Sequence, residues 1–331
     1  MLTSCAILSA IETFQYEAQR AWLGAHGFHP QRVEPLSGDV SARRYFRVWL
    51  GSGSAILVAY PESVRGVCSR FAATAALLTS VGVRVPGILA ADCEQGFMLC
   101  EDLGPGTLYE IGGEMSSLVP YFESAVTILN QLRTLPAHAV DELNPRLDEA
   151  LLHRELRQTW DCFLLPRALG GEGADRLRLD SALGELCSRL GALSPVPCHR
   201  DFMARNLVPL AAGGVGVLDH QDLRLGPPRY DLASLLNDSL FPPPALAAHL
   251  LRRALGEDAG SDDQLDYHRA AAQRTLKAVG TFAAFAQRGS ARHLPLVAPT
   301  LRRALEHLAC VPETAELAPA LTRRWRTALR G

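Results

Sequence analysis

Strand-like runs of alternating hydrophobic and polar residues are concentrated in the first third of the chain. The run "RRYFRVWL" (43–50) and the run "AILVAY" (55–60) are separated by "GSGS", which predicts a hairpin. "PGILAAD" and "GFMLCED" predict a second strand pair around the turn at Asp92–Gly96. Helical spacing predicts one helix near residues 8–26 and another over 66–82. This third is therefore expected to be mixed α/β structure.

From about residue 116 the hydrophobic spacing becomes helical. Only one short β segment, at 206–220, interrupts it. The stretch "EDLGPG" (101–106) punctuates the chain with glycine and proline, which is typical of a hinge between lobes. We therefore predict an α+β fold with two domains, 1–103 and 104–331. The helical pattern is clearest in 121–135, 147–165, 230–238 and 267–288.

The composition is that of a globular protein. Of the 331 residues, 48% are hydrophobic and 21% are charged, which allows a sizeable core. The net charge of −2 gives no reason to expect a nucleic-acid partner, and no apolar run is long enough to cross a bilayer. The eight cysteines are scattered, and Cys68, Cys100 and Cys187 lie in apolar runs. We expect reduced thiols and a cytoplasmic location.

The candidate chemistry lies in "CHRDFMARN" (198–206) and in "VLDHQD" (217–222). Asn206 begins the first strand of the short β segment, and Asp219 ends the second. A hairpin brings its outer ends together, so these two side chains are expected to face one another. An amide oxygen and a carboxylate suit Mg²⁺, which keeps its remaining positions for water and phosphate.

Asp201 is predicted to lie in the turn before this hairpin. It is placed to accept a hydrogen bond from a substrate hydroxyl and to take its proton, while Asn206 and Asp219 hold the metal, as in kinase-type phosphoryl transfer. Each residue alone is more often a turn or strand-end residue. Their combination, with His199 two residues before Asp201, favours a catalytic loop. We interpret His199 as structural.

Five motifs occur in order along most of the chain: "SGDVSARRYFRV", "FMLCEDLG", "HRDFMARNL", "LDHQDLRLGPPRYDLASLLND" and "QRTLKAVGTF". The third and fourth resemble the catalytic and metal motifs of the aminoglycoside phosphotransferase/choline kinase-like enzymes. Together the five are similar to bacterial kinases that phosphorylate N-acetylmuramate and N-acetylglucosamine at the anomeric hydroxyl. The resemblance implies a bilobal protein kinase-like fold, with a small β-rich N-lobe and a large, mainly helical C-lobe.

The resemblance also implies roles for individual residues. Asp201 is the expected catalytic base, and Asn206 and Asp219 are the expected Mg²⁺ ligands. Asp231 is the expected structural acid that fixes the catalytic loop. The hinge, whose backbone is expected to read the adenine ring of ATP, contains Glu101, Asp102 and Leu103. The residues assigned to the sugar side are Arg205, Asp222, Gln273, Arg274 and Lys277.

One part of this assignment leaves an alternative, and the sequence departs from the usual kinase pattern at one point. Gln273, Arg274 and Lys277 also fit the polar face of a helix. Lys277 is the single lysine of the chain. Kinases of this fold carry a strand lysine that pairs with the phosphates and with a helix glutamate. The corresponding strand "AILVAYPE" contains no lysine, and the helix "GVCSRFAATAALL" contains no glutamate.

Arginine is the expected replacement for the missing strand lysine. Arg43, Arg44 and Arg47 lie at the start of a strand, and arginine binds phosphate bidentately. Strand alternation places Arg43 and Arg47 on one face and Arg44 on the other. The expected nucleotide loop is "SGDVSA" (37–42), in which Ser41 offers a hydroxyl or N–H. The alternative is that some of these arginines only decorate an exposed strand.

We therefore expect an ATP- and Mg²⁺-dependent kinase of an amino sugar that serves cell-wall sugar recycling. It is expected to be a monomer with only small-molecule partners. A kinase of aminoglycosides or choline is a second hypothesis, but a cationic substrate favours an acidic or aromatic pocket. Residues 232–331 instead hold 13 Lys and Arg against 9 Asp and Glu. A pseudokinase is a third hypothesis, supported by the missing strand lysine and opposed by the intact catalytic motif.

Overall fold

The computed structural model describes residues 17–36, 42–256 and 260–330. These residues form two compact units, one built on a β-sheet and one mainly helical. The predicted α+β class is therefore confirmed. None of the helices described is long and apolar enough to cross a membrane.

The division between the units falls within one helix, α2 (Gly66–Ser80). The N-terminal unit contains the described residues up to Ala75 together with Pro86–Leu103. The C-terminal unit contains Ala76–Val85 and the described residues from Gly104 onward. Each unit has its own core.

A five-stranded antiparallel sheet forms the centre of the N-terminal unit, with strand order β1-β2-β3-β5-β4. Both predicted strand pairs are confirmed, since β2 pairs with β3 and β4 with β5. Strand β1 is not predicted by the sequence, because "RVEPL" contains a proline and no clear alternation. The strands are β1 (Arg32–Leu36), β2 (Arg44–Leu50), β3 (Gly53–Ala59), β4 (Ile88–Asp92) and β5 (Phe97–Glu101).

Different helices cover the two faces of this sheet. Helix α1, which is described over residues 17–25, packs against the face formed by Phe46 and Val48. The first turns of α2 pack against the opposite face, which includes Val58 and Met98. Successive strand residues point to opposite sides, so both faces are apolar where helices cover them.

A disulfide joins Cys68 in α2 to Cys93 in the turn after β4, with the two Cα atoms 5.6 Å apart. The expectation of reduced thiols is therefore wrong for this pair. The two cysteines are 25 residues apart in sequence, and only the packing of α2 beside the β4–β5 turn brings them within bonding distance. Cys100 and Cys187 are free and buried, as expected.

The C-terminal unit is mainly helical. The four helices predicted from hydrophobic spacing are confirmed as α4, α6, α8 and α10, and α6 continues into a π-helical turn at Trp160–Leu164. The helices are α3 (Leu108–Ile111), α4 (Met115–Leu132), α5 (Ala137–Asp141), α6 (Glu149–Thr159), α7 (Gly173–Gly191), α8 (Tyr230–Leu236), α9 (Pro244–Leu255), α10 (Ser261–Gln287), α11 (Leu294–Leu308), α12 (Pro312–Ala315) and α13 (Ala318–Arg324).

Helix α10 is the centre of this unit, because it packs against α6, α8 and α11. Its middle turns are buried, including the polar residues Gln273, Arg274 and Lys277. These three residues therefore do not form a solvated helix face. At Gly280 an added Cβ would lie 2.4 Å from the hydroxyl oxygen of Thr159 in α6, so the close approach of the two helices requires glycine.

Two short antiparallel ribbons interrupt the helices. Strands β7 (Leu207–Pro209) and β8 (Val215–Val217) form the predicted hairpin. Strands β6 (Val196–Cys198) and β9 (Arg224–Gly226) form a second pair that the sequence does not predict. The loop 199–206, which contains Asp201 and Asn206, connects β6 to β7. Asp219 lies in the connection from β8 to β9.

Candidate active site

The loop after β6 is held by one buried carboxylate, that of Asp231 in the first turn of α8. Its Oδ2 accepts the backbone N–H of His199 at 2.6 Å, and its Oδ1 accepts that of Arg200 at 2.8 Å. The Cys198 thiol also donates to it. Burial raises the pKa of Asp231, whereas its hydrogen bonds with the loop favour the charged form. This geometry agrees with the predicted role of Asp231.

Arg200 has a left-handed backbone, with φ at +77°. Its guanidinium lies 2.8 Å from Glu155 in α6 and 3.0 Å from Asp222. Although burial lowers the pKa of Arg200, the neighbouring carboxylates of Asp201, Glu155 and Asp222 raise it above its ordinary value. Arg200 therefore stays charged and ties the loop 199–206 to α6.

Two cations from α10 converge on Asp201. The Nζ atom of Lys277 lies 3.0 Å from Asp201 Oδ1, and the guanidinium of Arg274 lies 3.1 Å from the same atom. Burial would raise the pKa of Asp201, but the charges of Lys277, Arg274 and Arg200 hold it well below its usual value. The carboxylate is therefore ionised at neutral pH. Its side chain is 22% exposed, so a substrate can reach it.

The β7–β8 hairpin brings Asn206 and Asp219 to the same end of the ribbon. The N–H of Leu218 donates to the carbonyl of Asn206 at 2.8 Å, which extends the ladder to the residue before Asp219. Asp219 itself is left-handed, with φ at +56°. The Nδ2 atom of Asn206 donates to the backbone carbonyl of Asp201 at 2.8 Å. The register required by the prediction is therefore present, and the hairpin is tied to the catalytic loop.

The donors at this end of the hairpin fit a hard divalent cation. Because Nδ2 of Asn206 is used by the loop carbonyl, its Oδ1 atom is directed away from that carbonyl. Asp219 supplies a carboxylate, whose Oδ1 accepts from Gln221 at 2.8 Å. Among the described residues, no three His, Cys, Asp or Glu side chains are grouped as a metal centre. One amide and one carboxylate would leave several positions for water and phosphate, as Mg²⁺ prefers.

Two residues predicted for the sugar side are anchored to this network. Arg205 donates to Asp238 at 3.3 Å, and its guanidinium lies 5.5 Å from the Phe282 ring centroid. Its Nε is buried without a hydrogen-bond partner among the residues described. Asp222 pairs with Arg200, and 36% of its side chain is exposed. Both residues keep polar atoms that a substrate can use.

Gln273 is placed differently from the prediction. It is fully buried. Its Nε2 donates to the Leu152 carbonyl at 3.1 Å and to Glu155 at 3.3 Å, while its Oε1 accepts from the Tyr230 hydroxyl at 3.0 Å. An amide engaged on all these sides, without exposed surface, does not fit a contact with the sugar. Gln273 instead supports Glu155.

Sequence analysis misses two buried acids of this network, Glu155 and Asp238. Their side chains are only 7% and 4% exposed, and they pair with Arg200 and Arg205 respectively. A signal for Glu155 does exist, because a lone acid on the apolar face of an amphipathic helix requires a partner. The neighbours of Glu155 on that buried face of α6 are Leu152, Leu156 and Thr159.

In the N-terminal unit, two residues that were predicted separately are paired. The Nε atom of Arg47 lies 2.7 Å from the Asp102 carboxylate, which also accepts the Ser54 hydroxyl at 2.7 Å. This engagement does not fit a contact between Arg47 and phosphate. The guanidinium of Arg43 lies 5.6 Å from the Tyr45 ring centroid, in agreement with the predicted sharing of one strand face.

The other predicted nucleotide residues differ in their exposure and in their backbone hydrogen bonds. Arg44 is exposed at the start of β2. The N–H of Glu101 donates to the carbonyl of Gly87 at 2.7 Å, so this N–H is not available to an adenine ring. Leu103 follows β5 and is partly buried. Ser41 lies outside the described residues.

The fold and this site define a phosphotransferase. A model of the "Phosphotransferase enzyme family" matches residues 32–272, and the chain belongs to that family. It is 36% identical over 307 residues to an N-acetylmuramate/N-acetylglucosamine kinase of Pseudomonas aeruginosa, with 88% of each chain covered. It is 33% identical over 303 residues to the protein of the same name from Pseudomonas putida, with 85% of each covered.

Solved structures of related fold extend the comparison. Choline kinase LicA from Streptococcus pneumoniae is similar with a TM-score of 0.62 and 16% identity, covering 91% of this chain and 99% of that one. The ADP-bound aminoglycoside phosphotransferase APH(2'')-Ib gives a TM-score of 0.58 and 14% identity, covering 87% and 95%. At these identities the likeness concerns the fold, and it confirms the predicted kinase-like class.

Proposed function

We propose that this protein uses ATP to phosphorylate the anomeric hydroxyl of N-acetylmuramate and N-acetylglucosamine. The names of the Pseudomonas relatives support this acceptor class. The observation that carries the chemistry is the ionised Asp201, held between α10 and the hairpin. An anomeric hydroxyl is more acidic than an ordinary alcohol, so a carboxylate is an adequate base. Because ATP is the donor, we place the reaction in the cytoplasm, in cell-wall sugar recycling.

Asp201 is the base in this proposal. Both cations contact Oδ1, so we assign Oδ2 to the sugar hydroxyl. The hydroxyl donates a hydrogen bond to Oδ2, which orients its oxygen toward the γ-phosphorus. As the new O–P bond forms and the bond to ADP breaks, the proton passes to Asp201. Most of the acceleration comes from this positioning and from charge neutralisation.

Asn206 and Asp219 are the residues we assign to Mg²⁺, which when bound neutralises charge on the β- and γ-phosphates. For the sugar we assign Arg205 and Asp222, because both keep polar atoms for a ligand. In the N-terminal unit, ATP is assigned to the residues Arg43 and Arg44 and to the backbone of 101–103 except the N–H of Glu101. Arg47 contributes by holding Asp102.

The test is a substrate panel with ATP and Mg²⁺, comprising both amino sugars, an aminoglycoside and choline. We expect turnover with the two sugars, and a product whose phosphate is at C1 by phosphorus and proton NMR. Asp201→Asn is expected to lower kcat by about 10³-fold. Asp175→Asn is the matched control, because Asp175 is a surface acid with a 61% exposed side chain.

Three outcomes would contradict the proposal or its assigned base. Turnover with the aminoglycoside or choline, and with neither sugar, would favour the second hypothesis. A nucleotide-induced rise in the melting temperature without turnover on any acceptor would favour a pseudokinase. A wild-type rate in Asp201→Asn would remove the assigned base.

A further inference from the structure

Arg274 and Lys277 place two positive charges on one oxygen of the proposed base. They lie three residues apart on α10, and their side chains are only 5% and 10% exposed. Each lies within hydrogen-bond distance of Asp201 Oδ1. Because both cations are nearly buried, water screens their attraction to the Asp201 carboxylate less than it screens a surface ion pair.

The two cations are anchored differently. Arg274 also donates through Nε to the Ser234 hydroxyl at 2.9 Å and lies 3.7 Å from Asp238. Two partners besides Asp201 therefore hold its guanidinium in place. Among the described residues, the only hydrogen-bond partner of the Lys277 ammonium is Asp201. The positive charge of Lys277 therefore stabilises the carboxylate of the proposed base, Asp201.

We infer that Lys277, with Arg274, is a positioning residue for Asp201 and not a contact for the carboxylate of an acidic sugar. This inference rests on the proposed function. The two cations hold Oδ1, so that Oδ2 faces the acceptor hydroxyl. They also outweigh the negative charge of Asp201, which would otherwise repel the γ-phosphate as it approaches.

The two possible roles of Lys277 predict different behaviour toward the two sugars. N-acetylmuramate carries a carboxylate that N-acetylglucosamine lacks. A lysine that binds this carboxylate would affect only the acidic sugar, mainly through KM. A lysine that serves the base affects both sugars equally and acts through kcat, because the base is needed by every acceptor.

The experiment measures kcat and KM for each sugar with Lys277→Met, Lys277→Arg and wild type. We expect Lys277→Met to lower kcat by about 10²-fold for both sugars, the size seen for loss of one preorganised electrostatic group. The ratio of kcat/KM between the sugars should stay within about threefold of wild type. Lys277→Arg keeps the charge and should recover most of the lost kcat.

Arg288→Met is the matched control. Arg288 is an exposed cation at the end of α10. It contacts Phe285 and the Ala284 carbonyl, and it pairs with no acid in the part of the chain that the structure describes. It should behave as wild type. A loss confined to N-acetylmuramate, or a loss in Lys277→Met that Lys277→Arg does not reduce, would overturn the inference.

Failure of the proposed function is separable from failure of this inference. If the wild-type protein phosphorylates neither sugar, the proposed function is wrong. The contact between Lys277 and Asp201 is then tested by thermal unfolding without substrate. Asp201→Asn leaves the Lys277 charge without its partner, and Lys277→Met removes one of the two cations at Asp201. Both single losses include this contact, so the double variant should be more stable than their sum predicts. Additive losses would overturn the assigned pairing.

Discussion

Arg200 adopts a backbone conformation that few non-glycine residues occupy, and the loop around it exists because other side chains hold it there. Asp231 accepts its N–H, and Glu155 and Asp222 accept its guanidinium. The next residue, Asp201, then reaches α10. At the scale of single residues, the proposed base is thus positioned by three acids, of which Asp231 and Glu155 are buried.

Asp231→Asn tests this support. An amide can accept only one of the two backbone N–H groups and places its own NH₂ against the other, so a buried donor loses its partner. We expect the free energy of unfolding to fall by about 3 kcal/mol, together with a loss of kcat. Urea unfolding and steady-state kinetics measure the two effects.

Asp175→Asn again serves as the control for loss of one carboxylate. Its pairing with Arg324 is on the surface, so we expect no measurable change in stability or kcat. If Asp231→Asn unfolds at the same urea concentration as this control, Asp231 does not hold the loop.

At the scale of elements, α10 decides the geometry of the site. It packs against α6, which carries Glu155, and against α8, which carries Asp231. The spacing of α10 from α6 is set at Gly280, where an added Cβ would lie 2.6 Å from the Cα of Thr159. Backbone at that distance cannot give way as a flexible side chain can, so the helices would have to separate.

Gly280→Ala should therefore destabilise the protein by about 1–3 kcal/mol, despite the better helix propensity of alanine. Gly184→Ala is the matched control within α7, where the nearest atom to an added Cβ is 3.7 Å away. That change should stabilise by about 0.5–1 kcal/mol. Calorimetry of both variants checks the opposite signs, and equal shifts would contradict the close helix approach.

The contact between α10 and α11 contains a histidine pair, of which His307 is buried. His307 Nε2 lies 2.8 Å from Asn237 Oδ1, and its Nδ1 lies 2.9 Å from Nδ1 of His268. The Asn oxygen can only accept, so Nε2 of His307 donates to it, and in a neutral His307 the Nδ1 atom accepts from His268. Burial, with the charges of His268 and Arg303, lowers the pKa of His307 from 6.5 to about 3.

Stability should depend on this pair below neutral pH. Between about pH 6.5 and about 3 the unfolded chain binds a proton at His307 that the folded chain does not. The stabilising contribution is therefore complete above pH 6.5 and declines as pH falls, by about 1.4 kcal/mol per pH unit. Urea unfolding at pH 7 and pH 5 should show a smaller difference for His307→Asn than for wild type. An equal difference would exclude His307 as the source.

At the scale of the whole molecule, the chain forms two units with separate cores, and the family match at 32–272 extends over both. The N-terminal unit is the smaller of the two. Its sheet is covered on both faces, and the disulfide ties α2 to the β4–β5 turn. Small cores gain proportionally more from a covalent link, because less apolar surface is buried per residue.

Reduction of this disulfide should lower the stability of the N-terminal unit by about 3.5 kcal/mol, the loop-entropy value for a closure of this length. Cys93→Ser should reproduce the effect of reductant on the melting temperature. Cys310→Ser removes an exposed free cysteine and is the control. If reductant leaves the melting temperature unchanged, the link contributes nothing to stability.

Much of the fold was predictable, because period-2 and period-3.6 patterns are local properties of the chain. Strands β2 to β5 and helices α4, α6, α8 and α10 follow from them. Strand β1 does not, since "RVEPL" lacks alternation, and neither does the Cys68–Cys93 link. In the site, the spacing of Asp201, Asn206 and Asp219 predicted the hairpin register, but not the pairing of Arg47 with Asp102.

The sequence by itself determined most of the elements and the phosphotransferase motif, because both depend on short-range spacing. Tertiary structure alone decided which charges meet. The packing of α10 against α6 and α8 brought Lys277 to Asp201 across 76 residues and turned Gln273 toward Glu155. The free energy of a buried charge depends on the partners that packing supplies, and no local pattern records those partners.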